Sequence, residues 1–251
     1  MKKCILTAGL MGFIINGFSQ NTDIMLPPKM VREQIIHQKA FSLSYNSAYV
    51  LPSWVSYKVT KSQVNKEEKV KAKYKANPEV NTRSASTKDY KQGGYIMAQL
   101  VNYMDIKSID GAVEESFYMT NIAPMKLAFY NHIWLKTEDL IRMWVANTDC
   151  YYIVCGPVLV DAPFPTIGEN NLSVAKRYYK VIYDKKNQKA IGFIFKNGTS
   201  SGTLKSYSKS IDVIEAEVGI DFFQELDDDL EAKIEKEADY NFWNFELEED
   251  L

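Results

Sequence analysis

Groups suited to acid–base or metal chemistry are sparse in this 251-residue sequence. With only two histidines, His37 and His132, a mechanism built on a histidine cluster is nearly excluded. Three cysteines, Cys4, Cys150 and Cys155, are too few for a disulfide scaffold or a structural zinc cluster. Cys150 and Cys155 fall five residues apart on a strand-like run. They point to opposite faces and are expected to be buried free thiols. Glu138 and Arg142 are spaced i,i+4 on a helical pattern. That spacing suits either a joint role in a site or an ion pair on an exposed helix surface. Seven lysines lie between Lys58 and Lys75, with Lys69, Lys71 and Lys73 at the centre. They suit a polyanion such as nucleic acid, or simply the solubility of a surface loop.

Composition is that of an ordinary folded chain, 46% hydrophobic and 25% charged. It excludes a disordered chain, a fibrous repeat and a multi-span membrane protein. The formal net charge of −2 hides two unlike parts. Residues 225–251 hold 12 acids and 2 lysines, whereas residues 1–224 hold 28 bases against 20 acids. A basic body therefore carries an acidic C-terminal helix and tail from about residue 225.

The first residues read as an address. Met1-Lys2-Lys3 is followed by a largely apolar run to Gly17, and Gly17-Phe18-Ser19 has the small-x-small pattern of a signal-peptidase site. Cleavage is expected after Ser19, giving a secreted or periplasmic protein with no membrane span. The competing reading of this segment is a buried N-terminal helix.

The elements that must position any site follow from hydrophobic periodicity. Val31, Ile35 and Ile36 suggest a short helix, after which Phe41–Tyr45 and Trp54–Thr60 alternate as strands. Residues 61–94, with Asn77-Pro78 and Gly93-Gly94, read as a long surface loop. Tyr95–Leu100 and Phe117–Ile122 are expected as short strands, the second ending at Pro124. Ile133, Leu140, Ile141, Trp144 and Val145 form one stripe of a helix over residues 129–145. Tyr151–Val160, Tyr178–Tyr183 and Ala190–Phe195 are strands, and Ser210–Val218 and Asp227–Ala238 are capped helices. With no internal repeat and no linker, residues 20–251 are expected to form one α+β domain around a mostly antiparallel sheet with flanking helices.

Three blocks in order, Asp89–Tyr95, Phe117–Pro124 and Ile133-Trp134 followed by Glu138 and Arg142, resemble the DNA/RNA non-specific endonucleases. Further blocks agree in sequence and order: Phe41–Asn46, Pro52–Tyr57, Val154–Leu159, Tyr178–Asp184 and Gly219–Phe223. The likeness runs from about Ile35 to Leu230. It implies a ββα-metal fold of the His-Me finger type. It also implies a strand motif Asp-Arg-Gly-His whose histidine is the general base, a helix-start asparagine that ligates Mg²⁺, a glutamate supporting the metal's water shell, and arginines that hold phosphate.

This sequence departs from that pattern at the chemistry. Ile96-Met97-Ala98-Gln99 stands where the resemblance implies Asp-Arg-Gly-His. Gln99 occupies the general-base position, and a carboxamide has no useful basicity near neutral pH. Met97 replaces the phosphate-holding arginine. Tyr130, eight residues before Glu138, takes the metal-ligand position, and a phenol is a poor Mg²⁺ ligand. Asn131 is a weak substitute one residue on, turned about 100° around the helix, unless a shifted helix start aims it or His132 inward. Glu138 and Arg142 are kept. The expected protein is a pseudonuclease with no metal cofactor, retained as a module that binds nucleic acid or a protein partner. Ile96, Met97 and Tyr130 make the expected cleft more apolar than a phosphate site, which leans toward the protein. The alternative is an active Mg²⁺-dependent DNA/RNA endonuclease with an atypical site.

Overall fold

A computed structural model describes residues 25–64, 72–91, 93–198 and 201–246. The leader pattern, Lys69 and Lys71 lie outside the described residues. In chain order the strands are β1 (Gln34–His37), β2 (Phe41–Asn46), β3 (Leu51–Thr60), β4 (Ile96–Gln99), β5 (Ile122–Met125), β6 (Cys150–Pro157), β7 (Thr166–Ile167), β8 (Leu172–Ser173), β9 (Arg177–Asp184), β10 (Lys189–Lys196) and β11 (Ser208–Lys209). The α-helices are α1 (Lys61–Val64), α2 (Tyr103–Ile106), α3 (Ala112–Ser116), α4 (Leu127–Phe129), α5 (Leu135–Val145), α6 (Leu204–Tyr207), α7 (Ile211–Val218) and α8 (Asp228–Glu235). Among the described residues no helix is long and apolar enough to cross a membrane.

Seven strands form one sheet in the order β1-β2-β3-β6-β9-β10-β11, antiparallel throughout. Its central strands are covered on both faces, so they read as continuous apolar runs rather than alternating ones. Alternation still decides which layer each side chain joins. Tyr57, Ile153, Cys155, Tyr178, Ile182 and Phe193 face the layer carrying α5. Trp54, Val154, Tyr179, Val181 and Tyr183 face the layer carrying α7 and α8. Cys155 is a buried thiol whose pKa burial pushes up to about 12, whereas Cys150 is only half-buried; neither is in a disulfide.

Three local expectations are corrected. The stretch around Val31–Ile36 is not helical: Gln34–His37 is strand β1, paired with β2, and Val31 is exposed. Register with a neighbouring strand outweighs a weak helical period. The strand expected over Phe117–Ile122 instead covers Ile122–Met125 and runs through Pro124. β5 pairs only with β4, so its other edge needs no N–H from the proline. Phe117–Asn121 is a turn held by Asn121, whose side chain bonds the backbone of Val101 in both directions and Ser116 O at 2.8 Å. The helix over residues 129–145 forms, but Tyr130–Trp134 is a π-helical turn between α4 and α5.

On the far face, Gly192 of β10 lets α7 approach. A Cβ there would lie 2.4 Å from Cγ1 of Ile214, closer than packed atoms tolerate. Gly192→Ala is therefore expected to destabilise the protein by about 1–3 kcal/mol, seen as a lower urea midpoint with unchanged slope. An unchanged midpoint would show that α7 yields freely.

Candidate nuclease-type site

The ββα unit consists of β4, β5 and the α4–α5 helix that follows, laid against the large sheet. β4 and β5 pair antiparallel, with Met97 opposite Pro124 and Gln99 opposite Ile122. Pro124 O accepts hydrogen bonds from Tyr178 OH at 3.0 Å and Asn197 Nδ2 at 3.1 Å, which tie β5 to β9 and to the end of β10. α5 is anchored from beneath. Its Glu138 is 1% exposed, and Lys180, at the centre of β9, is fully buried opposite it. Their charged groups meet at 3.4 Å, while Asn102 Nδ2 donates to the other Glu138 oxygen at 2.8 Å. The Lys180 ammonium also sits 4.2 Å from the Trp134 ring centroid. Burial raises the Glu138 carboxyl above the ordinary range, and Lys180 opposes that shift.

The exposed Glu138–Arg142 pair that the helical spacing allows is therefore not formed. Glu138 turns inward to Lys180, and Arg142 binds Asp105 at 2.7 Å and Asp139 at 2.6 Å. Asp105 is itself buried and accepts from Tyr57 OH at 3.4 Å. The reason is geometric. The large sheet lies under α5, so a carboxylate on its inner face needs a partner on that sheet, and Lys180 is the cation there. Sequence reading missed Lys180, Asn102 and Asp105. The available signal was a lone lysine in Arg177–Asp184, a strand otherwise buried on both faces, which requires an internal anion.

Above this base lie the positions where the resemblance implies the reacting groups. Gln99 is buried, and its amide is committed: Nε2 donates to Ser116 O at 3.1 Å and to Ser116 Oγ at 3.0 Å. Its Oε1 faces the Tyr103 N–H at 3.4 Å. Ile96, Met97 and Tyr130 are half-buried and pack onto the core. Burial raises the Tyr130 phenol above its ordinary pKa, with the Glu138 charge adding to the effect, so it stays protonated. The π-helical turn is a local distortion of the kind that can re-aim its neighbours, yet Asn131 and His132 are exposed. Among the described residues no hydrogen bond joins either one to β4. A divalent ion at this position would meet a protonated phenol, a thioether, an aliphatic chain and an amide already in use. The residues present do not fit the Mg²⁺ that the resemblance implies.

Tyrosines and lysines lie close to β4 and to the turn before β5. Tyr74 OH donates to Met97 O at 3.3 Å, and the Tyr74 ring packs 5.3 Å from Phe117, which also meets Tyr103. Lys75 lies 5.0 Å from the Tyr118 ring and Lys126 4.1 Å from the Tyr95 ring. Lys73, from the expected lysine set, is exposed beside Tyr74.

A two-stranded antiparallel pair followed by a helix, docked on a large antiparallel sheet, is the architecture of a ββα-type nuclease. The chain belongs to the DNA/RNA non-specific endonuclease family, whose model matches residues 22–229. It is 26% identical over 212 residues to the mitochondrial nuclease EXOG of Mus musculus, covering 74% of this chain and 56% of that protein. It is 24% identical over 218 residues to a nuclease of Syncephalastrum racemosum, covering 77% of this chain and 68% of that protein. The chain thus spans little more than half the length of the mitochondrial nucleases it matches. A solved structure titled as the EndoG/EndoGI complex superposes with a TM-score of 0.71 at 21% identity, covering 77% of this chain and 86% of that one.

The anchor can be tested by breaking one partner. Lys180→Met leaves Glu138 buried and uncompensated, and is expected to cost about 3–5 kcal/mol. Adding Glu138→Leu should recover much of that loss. If the double variant in urea unfolding is as unstable as the sum of the two single ones, the pair is not coupled as described.

Proposed function

We propose that this chain is an exported nuclease-fold protein that binds nucleic acid without hydrolysing it. The observation that carries this reading is Gln99. The general-base position holds an amide whose nitrogen is spent on Ser116, and Tyr130 offers no metal-binding oxygen beside it. Losing the base alone lowers phosphodiester hydrolysis by about 10²–10⁴, and loss of metal binding lowers it further. No resident metal is expected at this position. Export is supported by the leader pattern at Met1–Ser19.

The ligand class is supported by the rim. Lys75 lies against Tyr118 and Lys126 against Tyr95, Tyr74 and Tyr103 pack on Phe117, and Lys73 is exposed next to Tyr74 in the chain. Interleaved cations and aromatic rings suit a flexible polyanion whose bases stack, as in single-stranded nucleic acid. The apolar pair Ile96 and Met97 favours a protein partner instead, but both side chains are half-buried.

Two measurements check the reading. Supercoiled plasmid and RNA, incubated with purified protein and Mg²⁺ or Mn²⁺, should show no cleavage that a chelator removes. Efficient, chelator-sensitive cleavage would establish the alternative, an active endonuclease with an atypical metal site. In fluorescence anisotropy, a labelled single-stranded oligonucleotide should bind with an affinity that falls roughly tenfold or more between low and physiological salt. Replacing Lys73, Lys75 and Lys126 with glutamate should abolish that binding. Salt-insensitive or absent binding would transfer the cleft to a protein ligand.

A further inference from the structure

On the sheet face away from the ββα unit, α7, α8 and the loop between them bring five carboxylates together. One oxygen each from Asp212, Glu215 and Glu235 lie within 4.8 Å of one another, and the same is true of Asp221, Glu231 and Glu235. Glu235 belongs to both groups. It is 7% exposed, and its Oε1 is buried with no hydrogen-bond partner. Among the described residues no lysine or arginine forms an ion pair with any of the five. Lys189 of β10 and Lys233 of α8 are engaged elsewhere, with Asp239 at 2.6 Å and Gln188 at 3.5 Å.

Packing creates this arrangement. Ile214, Val218, Phe222, Phe223 and Ile234 draw the two helices onto β9 and β10, and the acids are carried together at the rim of that apolar cluster. Glu215 is held in place by the Phe222 N–H, which donates to its Oε1 at 2.7 Å. Glu215 and Glu235 bring oxygens within 4.8 Å of each other, and carboxylates at that range repel unless a proton or a cation lies between them.

We propose that these carboxylates bind calcium, with Glu235 as the ligand common to the group with Asp212 and Glu215 and the group with Asp221 and Glu231, and water completing the oxygen shell. The donors are all hard oxygens on three separate segments, an adaptable set that suits the six to eight ligands of Ca²⁺ better than the strict octahedron of Mg²⁺. The competing occupant is a proton. Burial, with Glu215, Glu231 and Asp212 adding repulsion, pushes Glu235 up to about 8. The ion would cross-link α7 to α8 and so pin the acidic C-terminal region to the sheet, independently of whatever the ββα face binds.

The test uses the whole chain, stripped with chelator and titrated with calcium chloride at slightly alkaline pH by isothermal calorimetry, with thermal unfolding in parallel. Saturable binding is expected at or below about 1 mM, together with a Tm raised by a few degrees; magnesium chloride at the same concentration should give a clearly smaller shift. Asp212 and Asp221 are exposed, so Asp212→Asn and Asp221→Asn should fold and each weaken calcium binding roughly tenfold or more. Glu235→Gln should abolish it. No heat and no Tm shift in the unmodified chain would overturn the proposal and leave a proton-sharing acid cluster. Calcium affinity unaltered in the two aspartate variants would also overturn it.

Discussion

The position of the whole ββα unit depends on two charges taken out of water. Glu138 and Lys180 are buried where neither is solvated, so each is tolerable only while the other holds its place. Asn102 and Trp134 fix that geometry from the side, and Arg142 with Asp105 repeats the device one helical turn on. Together they set the height and rotation of α5 on the sheet. β4 and β5 are then located by the residues that lead into this helix and by the bonds from Tyr178 and Asn197 to Pro124. None of these contacts needs a metal or a base.

On the proposed reading, that separation explains how a nuclease scaffold can persist without its reacting groups. Ile96, Met97 and Tyr130 are half-buried and pack on the core margin, where apolar side chains substitute for polar ones without leaving a buried charge unpaired. Gln99 is deeper, and it is accommodated because Ser116 and Tyr103 satisfy its amide. The changes therefore sit where the fold can absorb them, and the anchoring residues are intact. The sheet also separates two electrostatic environments: a basic, aromatic rim beside β4 and an acidic cluster between α7 and α8.

Much of this was legible from residues alone. The strands at Trp54–Thr60, Tyr178–Tyr183 and Ala190–Phe195 announce themselves by β-branched and aromatic runs, and the family blocks place β4 and the long helix. The misreadings have physical causes. β1 pairs with β2 although Val31, Ile35 and Ile36 mimic a helical stripe, because pairing partners are not visible locally. Pro124 looks like a strand end but lies within β5, because a free sheet edge excuses its missing N–H. Glu138 and Arg142 have the spacing of a surface pair, and only the sheet beneath α5 reveals that they answer different partners. The acids at 212–235 read as a charged surface, since their convergence arises from helix packing.

On the proposed reading, only the reacting groups are missing from an otherwise complete nuclease scaffold. The most direct measurement is cleavage of plasmid DNA by a variant carrying Ile96→Asp, Met97→Arg, Ala98→Gly, Gln99→His and Tyr130→Asn together, compared with the unmodified chain in Mg²⁺. The account predicts chelator-sensitive cleavage by the variant and none by the parent. Equal activity of the two, or a correctly folded variant that remains inert, would contradict it.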